Sequence, residues 1–222
     1  MSFTILNHAQ GTPEWLEARR GRVTGSRFKD ARDKLKNGSP SKECMAYAMD
    51  LARERCGGKS PEKFQNAAMR FGTEQEPLAR LAYEETTGNL VEEVGFIVDD
   101  EGHFGLSPDG LISDDGVLEI KTLVASPTLF KALADGDISE YIDQCNGYLW
   151  LLGRQWVDLA LWVPDLSVLK IIRIKRDEAA IEALEADLMA FAKTVREYES
   201  KLRKAIAAAK ASANADQLAL AA

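Results

Sequence analysis

At Gly88 the hydrophobic period of this chain changes from helical to extended, and the order in which such changes recur restricts the fold to one that layers helices on a sheet. Upstream, residues 73–87 read as a helix with Leu78, Leu81 and Ala82 on one face and Gly88 in the C-terminal glycine position. Downstream, 90–98, 105–112 and 117–124 read as strands, the last two joined by a tight Asp114-Asp115-Gly116 turn. Helices follow over 127–134 and 139–152, and a strand pair over 156–163 and 168–175 turns at Pro164-Asp165. From Asp177 to about Ala211 the sequence predicts one long helix, in which Ile181, Leu184, Leu188, Phe191, Val195, Tyr198 and Leu202 form an apolar stripe that needs a partner.

The N-terminal third is helical by its punctuation. Thr12-Pro13 marks a cap and first turn, Gly21 breaks that helix, and Thr24 or Ser26 caps a second helix running to about Leu35. A turn at Asn37-Gly38-Ser39-Pro40 leads to a third helix over 41–56 that stops at Gly57-Gly58. With 222 residues the chain suits one mixed α/β domain: a helical part at 1–70, a core at 71–176, and a C-terminal helix with an alanine-rich tail at 177–222.

Chemistry concentrates at Ser107-Pro108-Asp109-Gly110 and Glu119-Ile120-Lys121. Side chains alternate along a strand, so Glu119 and Lys121 share a face opposite Ile120, and the hairpin can bring Asp109 beside them. Two carboxylates at close range repel unless a hard divalent cation sits between them, and a lysine on the same face suits phosphoryl transfer. Read blandly, Asp109-Gly110 is a turn, and Glu119 with Lys121 is the solvated face of an edge strand. Against this, both charges sit in an apolar run, Val117 to Val124, where unpaired charge is costly. Thr73-x-x-Glu76 fits a capping box, and Gln144 reads as the single polar member of a buried helix carrying Tyr148.

Charge and cysteine content narrow the class. A net charge of −7 excludes a general nucleic-acid coat, yet residues 19–36 carry Arg19, Arg20, Arg22, Arg27, Lys29, Arg32, Lys34 and Lys36 against only Asp30 and Asp33. Such a focused patch suits one strand or one phosphate. Cys44, Cys56 and Cys145 form no C-x-x-C pair and read as reduced, structural thiols. No apolar run long enough to span a membrane and no signal-peptide pattern occurs, which predicts a soluble intracellular protein, away from membranes.

Four ordered blocks together resemble the lambda exonuclease or YqaJ-like viral recombinase family of the PD-(D/E)XK nucleases. They are the stretch from Trp15 to Ser26 (W-x-x-x-R-x-G-x-x-T-x-S), Phe71-Gly72-Thr73-Glu74-Gln75-Glu76, the Ser107-to-Gly110 and Glu119-to-Lys121 pair, and Gln144-x-x-x-Tyr148. The likeness spans about residues 13–163. It implies a restriction-endonuclease-like core, a mixed central sheet flanked by helices. It further implies a Mg²⁺-dependent exonuclease that digests duplex DNA from 5′ ends, releases 5′-mononucleotides and leaves 3′ overhangs for single-strand annealing. On this resemblance Asp109, Glu119 and the backbone carbonyl of Ile120 bind metal, Glu76 serves a second ion rather than a cap, Mn²⁺ can substitute, and Lys121 acts at the attacking water. It assigns Arg19, Ser26 and Ser107, with Gln144 nearby, to a 5′-phosphate pocket, and turns Thr24 and Arg22 toward DNA. A ring-shaped homotrimer and an annealing-protein partner are implied as well. The rivals are an endonuclease on the same core, a catalytically silent DNA-binding scaffold, and a glycosidase using Asp109 and Glu119 as acid and base.

Overall fold

The apolar run that contains Glu119 and Lys121 is strand β6 (Gly116–Thr122), and it lies inside a sheet rather than at its edge. In the computed structural model, which describes residues 2–59 and 67–220, β6 pairs antiparallel with β5 (Gly110–Ile112) and parallel with β7 (Trp156–Val163). β7 in turn pairs antiparallel with β8 (Val168–Lys175). Parallel neighbours need a crossover. Here it is α5 (Ser126–Leu129), a π-helical turn (Phe130–Ala134) and α6 (Ser139–Leu152).

A second four-stranded sheet has the order β1-β3-β4-β2, formed by Phe3–Leu6, Phe96–Asp99, Phe104–Leu106 and Val23–Thr24. The expected central sheet is thus two mixed sheets, and the strand expected over 105–112 is divided between them. Pro108 has no N–H to give a ladder, and the chain leaves β4 after Leu106 to re-enter the other sheet at Gly110. A Cβ at Gly110 would lie 2.1 Å from Val91 Cγ1, so only glycine admits this passage. The strand expected over 90–98 is confined to β3; before it, only the Glu92–Leu111 bridge forms. Gly95 abuts the Leu6 carbonyl, which a Cβ would approach to 2.0 Å, and regular pairing with β1 begins after it.

Helix α1 (Pro13–Arg19) starts as its cap predicts, with the Trp15 N–H donating to Thr12 Oγ1, and α3 (Lys42–Arg55) is capped by Ser41. The helix expected between Thr24 and Leu35 is instead a 3-10 turn (Gly25–Arg27) followed by the four-residue α2 (Phe28–Ala31). After Ala31 the chain is diverted: Arg32 reaches Asp143 and Asp187, and Lys34 pairs in a β-bridge with Pro40. Helix α4 (Ala67–Thr87) begins before Thr73, so Glu76 lies in the helix interior and does not cap it. Its inward face also differs from expectation. Leu78 and Leu81 are 53% and 52% exposed, whereas Ala79 and Tyr83 are fully buried. Tyr83 decides the rotation, because its hydroxyl donates to the buried Asp158 on β7 at 2.7 Å, and Arg173 holds that carboxylate from β8 with two bonds of 2.8 Å. The segment 60–66, within the expected N-terminal part, lies outside the described residues.

Helix α7 (Glu178–Leu220) runs past the expected end at Ala211, and its stripe of Ile181, Leu184, Leu188, Phe191 and Val195 is buried, chiefly against α3 and α6. The main core meets where Phe28, Phe104 and Trp150 pack edge to face at 5.1–6.4 Å. The three cysteines are free thiols. Among the described residues no helix is long and apolar enough to cross a membrane.

The ion network that diverts α2 gives a stability prediction. Partial burial opposes the Asp187 carboxylate, but Lys34 at 2.5 Å and Arg32 at 2.8 Å outweigh it and hold its pKa below the usual aspartate range. A depressed carboxylate contributes stability above its unfolded pKa and loses it as pH falls through the folded one. Asp187→Ala should therefore cost about 1–3 kcal/mol at pH 7. The difference from the parent should shrink below about pH 4, as followed by thermal unfolding across pH.

Candidate active site

Burying a carboxylate requires donors on every side, and Glu119, 3% exposed, has them. Lys121 Nζ lies 2.6 Å from its Oε1, and Gln144 Nε2 donates to the same oxygen at 2.8 Å. The Tyr148 hydroxyl donates to Oε2 at 2.5 Å. Lys121 also donates to Gln144 Oε1 at 3.1 Å, and its ammonium lies 5.4 Å from the centre of the Tyr141 ring. Strand parity explains the pair on β6; the i, i+4 spacing on α6 explains why Gln144 and Tyr148 arrive together. Gln144 is therefore not a bland polar residue in a buried helix.

The link between the two sheets brings in Asp109. Its Oδ2 accepts the Ile120 N–H at 2.6 Å, which locks the link onto β6 beside Glu119. The Ile120 side chain is buried in a small cluster with Ala79 and Tyr83, so its backbone is the part nearest the cleft. Glu76, on α4, lines the same cleft and is held by Arg80 at 3.0 Å, while Arg80 also pairs with Glu93. Asp114 and Asp115 are exposed at the hairpin tip, away from these groups.

Electrostatics distinguishes the members. Burial, reinforced by the charges of Glu119 and Glu76, pushes the Asp109 carboxyl well above the ordinary aspartate range. Burial raises Glu76 too, against the pull of Arg80. For Lys121 burial favours the neutral amine, but Glu119 and Asp109 outweigh it and the ammonium is held more firmly than in a free lysine. Among the described residues no three His, Cys, Asp or Glu side chains are gathered at ion-binding distance. The donor chemistry nonetheless fits a hard divalent cation: the acidic groups facing the cleft offer only oxygen, and a buried carboxylate strained by two like charges is the group a cation relieves.

The other end of the cleft is cationic. Most of the basic island is consumed by the fold: Arg20 pairs with Glu17, Arg27 with Asp30, Lys29 with Glu140, and Arg32 and Lys34 with Asp187. Arg22 donates to the Ala18 carbonyl and lines a separate groove, and Thr24 is buried with its N–H on the Tyr47 hydroxyl; neither reaches the cleft. Arg19 differs. Its side chain carries no ion pair or hydrogen bond among the described residues, and its guanidinium lies 4.2 Å over the Trp15 ring and 5.7 Å from Phe96. Burial lowers its pKa, with only Tyr47 and Tyr148 nearby in compensation. Ser26, Ser107 and Gln144 line the cleft with it, and the volume enclosed is about 340 Å³. The motif blocks include Trp15 and Tyr148 but assign them no role, and they leave out Arg80, which holds Glu76; Trp15 and Tyr148 stand four residues from Arg19 and Gln144, a spacing that places each pair on one helix face.

Comparison with known proteins places the chain in a family and a fold. Residues 14–155 match the model of the YqaJ-like viral recombinase domain. The crystal structure of an alkaline exonuclease (LHK-Exo) from Laribacter hongkongensis is 37% identical and has a TM-score of 0.75, covering 88% of this chain and 98% of that one. The same protein in complex with dAMP gives a TM-score of 0.76 at 37% identity, again over 88% and 98% of the two chains. A phage related exonuclease from Haemophilus somnus 129PT shares the fold at 15% identity and a TM-score of 0.61, over 83% of this chain and 96% of that one. No curated protein matches the sequence.

The raised Asp109 pKa makes a signed prediction. A carboxyl bound to its proton more tightly in the folded state than in the unfolded one destabilises the fold as pH rises. In EDTA at pH 7–8, Asp109→Asn should therefore unfold at a higher temperature than the parent, by about 2–4 °C for each kcal/mol of relieved repulsion. Added Mg²⁺ should stabilise the parent more than the variant. A lower melting temperature for the variant in EDTA would show that repulsion does not govern this site.

Proposed function

This chain belongs to the YqaJ-like viral recombinase family, and from that premise we propose that it is a metal-dependent 5′-to-3′ exonuclease on double-stranded DNA ends, built on a PD-(D/E)XK core. One observation carries the reading: a single cleft holds an arginine without an anionic partner, with two serine hydroxyls, beside a buried carboxylate pair and a lysine. The first group suits a terminal phosphate, which a guanidinium and hydroxyls can grip. The second suits hydrolysis of a neighbouring phosphodiester. Anchoring the 5′ phosphate beside the hydrolytic group sets the polarity, releases 5′-mononucleotides and leaves a 3′ overhang.

In this mechanism Asp109, Glu119 and the Ile120 carbonyl would hold one divalent ion, and Glu76 would serve a second. When bound, Mg²⁺, or Mn²⁺ in its place, would supply charge neutralisation at the phosphate and would acidify water. Lys121, fixed between Glu119 and Gln144, orients the water and offsets charge on the phosphoryl oxygens. Tyr148 keeps Glu119 from rotating away. The complex of the relative LHK-Exo with dAMP, a deoxynucleoside monophosphate, supports mononucleotides as products.

The net charge of −7 supports enclosure of DNA by a homotrimeric ring over an open basic surface, since so few of the island's cations remain free. The overhang has its use in recombination with a single-strand annealing protein, in the cytoplasm of a bacterial or phage-infected cell.

On linear duplex labelled at either end, the 5′ label should be lost first, in Mg²⁺ and not in EDTA, with closed circular plasmid untouched. Asp109→Ala and Lys121→Ala should lower the rate by about a hundredfold or more while remaining folded by circular dichroism. Cut circles would convert the reading to an endonuclease on the same core, and no cleavage with any divalent metal would leave a DNA-binding scaffold.

A further inference from the structure

Arg19 is held still without being neutralised, and the residue that does both is Trp15. The indole ring lies under the guanidinium, its centre 4.2 Å from Arg19 Cζ, and its Nε1–H donates to Ser107 Oγ at 3.1 Å. A carboxylate in the place of that ring would fix the arginine equally well but would occupy the charge; an aromatic face restrains it and leaves its N–H groups unspent. The hydrogen bond acts on the second donor. Indole nitrogen can only donate, so Ser107 Oγ must accept, which directs the serine hydrogen to another acceptor in the cleft. Trp15 itself is clamped: Phe96 packs edge-on at 6.5 Å, and the Thr12-capped first turn of α1 fixes its backbone.

Resting on the 5′-phosphate reading given above, we propose that Trp15 is the positioning residue that makes the pocket select phosphorylated over hydroxyl 5′ ends, by presenting an uncompensated Arg19 and an oriented Ser107 hydroxyl to the terminal phosphate. It touches neither the carboxylates nor Lys121 in the geometry described, so its influence belongs to end recognition and not to the hydrolytic group.

The test compares kcat and KM on blunt duplexes bearing 5′-phosphate or 5′-hydroxyl ends, with the parent, Trp15→Phe and Trp15→Ala. Trp15→Phe keeps a ring face for Arg19 and loses the N–H; it should lower the phosphate-to-hydroxyl ratio of kcat/KM about tenfold. Trp15→Ala loses both and should lower it about a hundredfold. The loss should appear in KM for phosphorylated ends, and in weaker binding of a 5′-phosphorylated duplex in Ca²⁺ measured by anisotropy. A parent ratio near one would overturn the phosphate pocket and this role together. A parent preference kept in both folded variants would overturn the role of Trp15 alone. An equal loss on both end types, with kcat and melting temperature falling together, would reduce Trp15 to a structural residue and also overturn it.

Discussion

A carboxylate on an interior strand is the constraint from which the rest of this structure follows. Glu119 is nearly without solvent, and an ionised group there is tolerable only when donors replace the water it has lost. Three side chains do so: Lys121 two residues along the strand, and Gln144 and Tyr148 one turn apart on α6. The crossover helix must therefore lie across β6 in one register, whatever its apolar residues prefer. Asp109 adds to the demand, because the link between the sheets is tied to the same strand through the Ile120 N–H. Cleft and core are thus one object, and the polar network specifies the packing around it.

The distribution of positive charge follows a similar economy. An acidic protein with a local run of basic residues suggests a basic surface, but the fold engages most of them: Arg20 and Arg27 pair locally with Glu17 and Asp30, and Arg32 bridges from the end of α2 to α6 and α7. The cation of this run that lines the cleft without an ionic partner among the described residues is Arg19, backed by aromatic rings. Specific recognition of one anion requires less positive surface than the basic run suggests, since a partly dehydrated guanidinium interacts more strongly than several solvated ones.

Much of this was legible in the sequence, and the failures have physical causes. β6, β7, β8, α6 and α7 could be read because long periodic runs leave little choice of face. Asp109, Glu119, Lys121, Glu76, Arg19, Ser26, Ser107 and Gln144 converge on one cleft as the motif blocks imply. Arg22 and Thr24 belong to the same N-terminal block and do not, because that block turns from helix to strand and its side chains diverge. The inward face of α4 was misjudged because Leu78 and Leu81 outrank Tyr83 in hydrophobicity, whereas the buried partner Asp158 rewards a hydroxyl and cannot be foreseen from α4 alone. β1 is four residues long with none of them buried, too short a run to announce itself, and is defined by its neighbour β3.

The passage from one sheet to the other is only three residues long, Ser107-Pro108-Asp109, and its two ends face different tasks. In the function proposed above, Ser107 stands with the group that grips an anion and Asp109 with the group that cuts, and two residues of extended chain span at most about 7 Å. On the proposed reading this bridge is a gauge. The increment removed at each turnover is counted in covalent bonds of the protein, with proline stiffening the gauge and the Ile120 N–H fixing its zero. Where the remainder of the duplex lies, and how it bends or slides, then has no bearing on the length of the fragment released.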